Sequence, residues 1–340
     1  MLSVGDSPRR TPKTAVSPRP FQGAVMMKNG EPTPEPVSLP TVTGPTPQPA
    51  SVPSERAHFP LDDLRWSGDE GWMPESQALL CQTVPTMAIV FVHGFGGGAD
   101  STWEQFVLCL RAMPEAAVAD AFFIDYPSTT HPVAFCAAKF REFLFDLLRK
   151  PSSNIVNPSL PKEAPARAVT AAYQKIMLVG HSMGAIVARQ ALLDLDRDEL
   201  TPAERAAIHM LFFAPAHKGA RNLGKLVASG LRLDKFPGGQ FLGALLLLHY
   251  RSIADLTRES DCLSDLATHS KARREDRARE GESADYLRAH VYHAENERIV
   301  YVDTFDDDYS TNPVMAQNHR SVCKPREDYP KPAEALRSLL

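Results

Sequence analysis

The 340-residue sequence is poor in the features of disulfide-bonded, membrane-spanning and nucleic-acid-binding proteins. Its five cysteines are scattered and form no CxxC pair, which argues against a disulfide framework or a zinc site and favours reduced cysteines. The longest apolar run, residues 241–248, is far shorter than the ~20 residues that a transmembrane helix needs. The net charge of −4 lacks the basic excess of nucleic-acid-binding proteins, so we expect no nucleic-acid partner.

The N-terminal segment lacks a secretory signal and any apolar periodicity. No charged stretch there precedes an apolar one, which together with reduced cysteines predicts a cytoplasmic protein. The first 60 residues contain 13 of the 29 prolines, mixed with Ser, Thr, Lys and Arg. Such a composition cannot bury enough apolar surface to offset the entropy of ordering. Residues 1–58 are therefore predicted to form a disordered tail.

Strand-like apolar runs alternate with longer amphipathic runs from about residue 85 onward. Residues 87–92 are apolar on both faces, as expected of a central parallel strand. Residues 133–149 place an apolar stripe at helical spacing, beginning at Cys136 and ending at Leu147. This alternation predicts a mostly parallel sheet flanked by helices. Further predicted elements are helices at 102–111 and 332–340 and strands at 121–126, 207–214 and 290–294.

Residues 218–288 interrupt this alternation because they contain helical patterns and no clear strand. An insertion at this place in such a sheet usually lies above the strand ends, so we predict a helical cap. The charged run at residues 271–282 is interpreted as a solvated helix face. Leu245–Leu248 within the insertion allow two interpretations, burial in the cap or a peripheral membrane contact.

The segment Gly180-His181-Ser182-Met183-Gly184 follows a strand-like run, 175–179, and precedes a helical run, 185–193. A Gly-x-Ser-x-Gly turn between a strand and a helix lifts the serine hydroxyl clear of the sheet. The flanking glycines are needed because strand and helix nearly touch and the serine backbone is strained. This pattern predicts that Ser182 is a nucleophile.

A serine hydroxyl is a poor nucleophile at neutral pH and needs a histidine base within hydrogen-bond reach. Where such a turn carries the nucleophile, an acid and then a histidine follow along the chain. His319 is the last of seven histidines after Ser182 and lies in a polar loop before the final helical run. We therefore predict His319 as the base. His293 is the second choice, although its strand position favours a structural role.

The acid of such a site should follow the strand that precedes the histidine loop. Glu297 is the predicted acid, and Glu295 is the alternative. A glutamate in place of an aspartate suits the geometry. Earlier acids are also open as alternatives: Asp255, Asp261 and Asp265. Residues 306–308, three consecutive aspartates, are interpreted as a solvated turn.

Two backbone amides should bind the negative charge that develops on the substrate oxygen. One is predicted to be the amide of Met183, directly after the serine. The other is predicted to be the amide of Phe95, in a loop with four glycines at residues 94–98. This loop lacks the Gly-Lys-Ser/Thr ending and the downstream acid of nucleotide-binding loops, which argues against nucleotide binding. His93 and His181 flank the turns and are interpreted as braces.

Two segments, residues 90–97 (VFVHGFGG) and 179–189 (VGHSMGAIVAR), resemble the lipase and serine esterase branch of the α/β-hydrolases. That branch includes the glycosylphosphatidylinositol inositol-deacylase-like proteins. Residues 213–220 and 319–325 are similar to two further segments of the group. The resemblance covers about residues 85–330 and implies an α/β-hydrolase fold, so we predict an α/β-hydrolase domain over residues 59–340. It also implies a carboxylic-ester hydrolase that needs no metal or organic cofactor.

The roles that the resemblance implies are those predicted from the residues: Ser182 as nucleophile, His319 as base, and Phe95 and Met183 as oxyanion donors. The implied substrate is a small-molecule or lipid ester. Thioesterases, amidases and acyltransferases use the same side chains, so these activities are alternatives. A non-catalytic α/β-hydrolase that only binds a ligand is a further alternative.

Overall fold

The computed structural model describes residues 58–60, 76–81, 84–150, 172–197, 200–231, 251–303, 305–310 and 313–340. All of them belong to one of the chain's two units, residues 51–340. The predicted tail lies outside the described residues apart from His58. The 241–248 run, with its alternative of a membrane contact, lies outside them as well.

Eight strands among the described residues form one mixed sheet. Its strand order is β1-β2-β4-β3-β5-β6-β7-β8. The six strands from β3 to β8 are parallel, whereas β1 and β2 pair antiparallel at one edge. The sheet confirms the predicted fold class. The strands are β1 His58–Pro60, β2 Gln77–Leu79, β3 Met87–Val92, β4 Ala119–Ile124, β5 Lys175–His181, β6 Ile208–Phe213, β7 Ala289–Tyr292 and β8 Tyr309–Ser310.

Helices connect and flank these strands. Helices α3 (Val133–Arg149) and α4 (Met183–Asp196) pack against each other and against the sheet. The Phe143 ring of α3 meets the Phe122 ring of β4 edge-on, with the centroids 5.7 Å apart. None of the described helices is both long and apolar enough to cross a bilayer. The described helices are α1 Ala99–Trp103, α2 Phe106–Ala112, α3 Val133–Arg149, α4 Met183–Asp196, α5 Pro202–Ala207, α6 Leu223–Gly230, α7 Arg251–Asp255, α8 Asp261–Arg279 and α9 Lys331–Arg337, with 3-10 turns at Pro114–Val118 and Asp285–Leu287.

The single helix predicted at 102–111 is instead two short helices, α1 and α2. The break lies at Glu104, which has a positive φ of 42° and donates its amide to Asp100 O. Trp103 and Phe106, on either side of the break, both pack their rings 5.0 Å from the ring of Phe91. The turn thus lets both aromatic side chains reach the same buried strand.

The insertion at 218–288 contains helices α6, α7 and α8 and no strand among its described residues. Helix α8 lies against α4, because Arg273 and Arg277 form ion pairs of 3.3 and 3.2 Å with Asp196 at the end of α4. The charged run is therefore only partly solvated, and the Arg277 side chain is 11% exposed. The cap over the strand ends remains a prediction.

Candidate active site

The candidate site lies at the edge of the sheet where the parallel strands end. The glycine-rich loop follows β3, Ser182 follows β5, and Glu297 and His319 lie in the loops after β7 and β8. Because all these strands run in the same direction, residues far apart in sequence converge there.

Ser182 occupies the sharp turn between β5 and α4. Its backbone has a positive φ of 55° with ψ of −120°, a strained conformation for a residue with a side chain. A Cβ added at Gly180 would lie 2.8 Å from Cα of Ala185, and one at Gly184 would lie 2.1 Å from the carbonyl oxygen of Val92. A side chain at either position, two residues before or two residues after this serine, would therefore collide with the backbone.

Ser182, His319 and Glu297 form one hydrogen-bonded chain. The Oγ of Ser182 lies 3.0 Å from Nε2 of His319, and Nδ1 of His319 lies 3.0 Å from Oε2 of Glu297. A carboxylate can only accept, so Nδ1 carries the proton and Nε2 is left to accept from the serine hydroxyl. All three residues are buried. The arrangement can transfer a proton from the serine to the imidazole.

The Glu297 carboxylate is stabilised in its charged form. Burial alone would raise its pKa, but the adjacent His319 imidazole and two backbone amides outweigh burial and lower the pKa to about 2. Those amides belong to Ile299 and Val300, which donate to Oε1 over 2.9 and 3.1 Å. An ionised acid holds the histidine in one tautomer and favours the imidazolium that forms when the serine is deprotonated.

The glycine-rich loop faces Ser182 at close range. A Cβ added at Gly94 would lie 2.8 Å from Cβ of Ser182, so the backbone of this loop borders the nucleophile directly. The loop closes through a 3.0 Å bond from the Gly97 amide to the Gly94 carbonyl. Phe95, between them, is buried. Met183 begins α4, where amides point out of the helix without intrahelical acceptors.

These groups border a small cleft that is open to solvent. Two of its lining residues are cationic, Arg320 and Lys324. Nζ of Lys324 donates to the Ser101 carbonyl over 2.7 Å and pairs with Glu104 over 2.5 Å. Helix α6 of the insertion contributes Leu226. The full lining consists of Gly94, Phe95, Gly96, Gly97, Ser101, Thr102, His181, Ser182, Leu226, His319, Arg320 and Lys324.

Comparison with known proteins identifies the family. Residues 89–330, most of the chain, match the model of the alpha/beta hydrolase family. The chain belongs to the α/β hydrolase family. No curated protein matches its sequence.

Several solved structures are similar to this α/β hydrolase in fold only. The lipase BlEst2 of Bacillus licheniformis in its mature form is 12% identical, with a TM-score of 0.47 over 78% of this chain and 96% of that one. A monoacylglycerol lipase of Paleococcus ferrophilus is 11% identical, with a TM-score of 0.42 over 78% and 98%. A 2-hydroxy-6-oxo-6-phenylhexa-2,4-dienoate hydrolase from Rhodococcus sp. strain RHA1 is 16% identical, with a TM-score of 0.40 over 78% and 95%. Such distant similarities indicate no substrate.

The other candidate acids of this α/β hydrolase lie elsewhere. Glu295 is exposed and accepts the Ala316 amide over 3.0 Å. Asp255 accepts the Val133 amide over 2.8 Å at the start of α3. Asp261 and Asp265 are exposed on α8. Of the five candidate acids, Glu297 is the one whose carboxylate is hydrogen-bonded to the His319 ring.

His293, the second choice as base, is buried directly after β7. Neither of its ring nitrogens has a hydrogen-bond partner among the described residues. Burial lowers its pKa, which keeps the imidazole neutral. The histidine that lies within hydrogen-bond distance of Ser182 is thus His319, the first choice from the sequence.

The interpretation of residues 306–308 as a solvated turn is wrong for Asp308. Its carboxylate accepts two bonds of 2.7 and 2.8 Å from Nη2 of Arg189, and both side chains are 0% exposed. Asp306 and Asp307 are exposed, as expected. Arg189 could have indicated this burial from the sequence, because an arginine in the apolar helix after Ser182 is buried only together with an acidic partner.

His93 holds the glycine-rich loop, in agreement with its interpretation as a brace. Its Nδ1 lies 2.8 Å from the Gly94 carbonyl and its Nε2 3.1 Å from Asp125. The hydroxyl of Tyr126 donates to the His93 carbonyl over 2.7 Å. These bonds tie the loop to the end of the neighbouring strand β4.

Proposed function

We propose that this α/β hydrolase is a serine hydrolase that cleaves carboxylic esters through an acyl-enzyme. The observation that carries the proposal is the hydrogen-bonded chain from Ser182 through His319 to Glu297 at a Gly-x-Ser-x-Gly turn. The nucleophile Ser182 contacts its base, and the base His319 contacts the acid that orients it.

In the first step, Nε2 of His319 accepts the Ser182 proton while Oγ attacks the ester carbonyl carbon. The carbonyl oxygen becomes an oxyanion, for which the amides of Phe95 and Met183 are the proposed donors. Glu297 stabilises the imidazolium. As the tetrahedral intermediate collapses, His319 gives its proton to the leaving alcohol and an ester of Ser182 remains.

In the second step, water attacks this ester while His319 accepts one of its protons. The second tetrahedral intermediate collapses, the carboxylic acid departs, and the proton returns to Oγ of Ser182. Atoms and charge balance over the two steps with ester and water as the only reactants. The steps call for no metal or organic cofactor.

We further propose a small-molecule or lipid ester as the substrate, within the lipase and serine esterase branch. The support is the resemblance of residues 90–97 and 179–189 to that branch, including its glycosylphosphatidylinositol inositol-deacylase-like members. A panel of p-nitrophenyl esters of increasing acyl length, phospholipids and acyl thioesters distinguishes this substrate class from a thioesterase. Two cationic side chains, Arg320 and Lys324, line the cleft. For each acyl length, the panel therefore also contains an ester with a carboxylate at the end of the acyl chain, which tests whether the site prefers anionic substrates.

The decisive test is Ser182→Ala, with Ser252→Ala as the matched control. Ser252 is as buried as Ser182, but its Oγ donates to the Ser128 carbonyl and does not line the cleft. The Ser182 variant is expected to lose at least about 10⁴-fold in turnover of the best ester. A fluorophosphonate probe is expected to label the wild type and the control but not Ser182→Ala.

Two results would contradict the proposal. Near wild-type turnover by Ser182→Ala would exclude this serine as the nucleophile. A folded wild-type protein that neither labels nor turns over any ester, thioester or amide would support the non-catalytic alternative.

A further inference from the structure

His181, the residue before the candidate nucleophile, takes no part in the proposed steps yet contacts the base. Its Nε2 lies 2.8 Å from the backbone carbonyl oxygen of His319, and the two rings lie 4.9 Å apart at an angle of 49°. The two residues are 138 positions apart in the sequence. This bond therefore joins the elbow after β5 directly to the loop that carries His319.

The chemistry of the bond fixes the tautomer of His181. A carbonyl oxygen only accepts, so Nε2 carries the proton. Burial, assisted by the nearby His319, lowers the pKa of His181 to about 3, which keeps the imidazole neutral at physiological pH. His181 thus donates to the His319 carbonyl, whereas the Nε2 of His319 is the ring nitrogen that lies 3.0 Å from the Ser182 hydroxyl.

The loop that carries His319 has little regular structure of its own. Between β8 and α9, the described residues form turns and isolated bridges. Local bonds hold the neighbours of His319, such as those from the Ser321 and Val322 amides to the Asn318 carbonyl, both 3.1 Å. The loop is also held from outside on both sides of His319, by the Asn296 amide on the Gln317 carbonyl over 3.1 Å and by Lys324 on the Ser101 carbonyl over 2.7 Å. The bond from His181, the last residue of β5, holds the backbone at His319 itself, the residue whose ring must meet both Ser182 and Glu297.

We propose that His181 is a positioning residue that holds the His319 backbone so that Nε2 of the His319 ring stays within reach of Ser182. The inference rests on the proposed function, since it concerns how the same base is oriented. Misplacement of a reacting group by about 1 Å costs on the order of 10²-fold in rate. An anchor of this kind therefore acts mainly on kcat. Because His181 also lines the cleft, KM is measured for every variant, so that a change in substrate binding is separated from a change in the position of the base.

Three substitutions separate this role from a general packing role. In His181→Gln the amide nitrogen lies as many bonds from Cα as Nε2 does, so it can donate to the His319 carbonyl. In His181→Asn the amide nitrogen is one bond too short. His181→Leu removes the donor. We expect the Leu and Asn variants to lose about 10²-fold in kcat with little change in KM. His181→Gln is expected to stay within about tenfold of the wild type, since one neutral hydrogen bond is restored.

Turnover of the best p-nitrophenyl ester and the rate of fluorophosphonate labelling are measured together with the melting temperature. The Gln and Asn variants should melt at similar temperatures while their kcat values differ. Equal kcat losses in these two variants, or a wild-type kcat in His181→Leu, would overturn the inference. If the Leu variant does not fold, the comparison of Gln with Asn decides alone.

The result also separates this inference from the proposed function. Ser182-dependent turnover in the wild type combined with unaffected His181 variants would refute the positioning role only. Absence of any Ser182-dependent turnover or labelling would refute the proposed function, and the role of His181 with it.

Discussion

Glu297 is held by both of its carboxylate oxygens. Oε2 contacts Nδ1 of His319, whereas Oε1 accepts the amides of Ile299 and Val300. The two amide bonds to Oε1 thus fix the orientation of Oε2 towards the imidazole. A single side chain is in this way both anchored to the backbone and presented to the imidazole, which is what an orienting acid requires.

Replacing Glu297 by glutamine tests this role with little change in shape. Glutamine retains an oxygen for the two amides but removes the charge that stabilises the His319 imidazolium. If its NH₂ group faces Nδ1, the histidine is also held in the wrong tautomer. We expect kcat to fall by about 10³- to 10⁴-fold, measured with the best ester substrate.

Glu295→Gln is the matched control, two residues away. Glu295 is exposed and accepts the Ala316 amide, a bond that glutamine can still make. We expect kcat close to that of the wild type. Equal losses in the two variants would contradict the assignment of Glu297, as would a large loss in Glu295→Gln alone.

Individual residues of the site differ in how far the sequence could predict them. Ser182 is predictable because its turn is encoded by neighbouring residues. Glu297 was predicted ahead of Glu295, but the sequence left both open because they are glutamates in one short segment. What distinguishes them is the pair of amides that only the folded loop brings to Glu297. Asp308 was misjudged because its partner, Arg189, lies 119 positions away.

Helix α4 is joined to the later strands by one buried ion pair. Arg189 of α4 donates to both oxygens of Asp308 and, through Nη1, to the Leu287 carbonyl over 2.8 Å. Asp308 also accepts the Ala289 amide of β7 over 2.9 Å. The Arg189 guanidinium further lies over the Phe305 ring, 4.7 Å from its centroid. These bonds fix the elbow helix against the segment that leads to His319.

Arg189→Met is expected to lower the free energy of unfolding by about 3–5 kcal/mol, because it removes the guanidinium that balances the charge of the buried Asp308 carboxylate. Adding Asp308→Asn should restore part of this loss by removing the charge. Urea unfolding measures the free energy of unfolding of the single and the double variant. The control is Lys271→Met in the exposed pair Lys271–Glu275, for which we expect a change of less than about 1 kcal/mol. Similar losses at Arg189 and Lys271 would contradict a special role of the buried pair.

The helices and strands were predictable where the spacing of apolar residues along the sequence is enough to determine the element. Strand β3 and helix α3 have the predicted bounds, 87–92 and 133–149, because an apolar run and a 3.6-residue stripe are local patterns. The break between α1 and α2 was not predictable. It depends on Trp103 and Phe106 both meeting Phe91, a contact of the folded protein. In the same way, the burial of Arg277 depends on Asp196, 81 positions away.

Within the part of the chain that the structure describes, burial lowers the pKa of three enclosed histidines: His181, His217 and His293. Burial is the largest cause of each shift, which takes the pKa to about 3 for His181 and well below the usual value for His217. In the unfolded chain all three bind protons near pH 6.5. Below that pH the unfolded state binds more protons than the folded one, so acid favours unfolding.

The free energy of unfolding should therefore decline as pH falls from about 6.5 towards 3. Each such histidine contributes at most about 1.4 kcal/mol per pH unit in that window, and we expect a total loss of at least about 2 kcal/mol between pH 7.5 and 5.0. Urea unfolding at the two pH values measures it. His217→Gln should reduce the pH dependence, because one buried proton acceptor is gone, whereas the same change at exposed His269 should leave it as in the wild type. A stability that does not vary between the two pH values, or an equal effect of the two substitutions, would show that burial of these imidazoles does not govern the acid sensitivity of the fold.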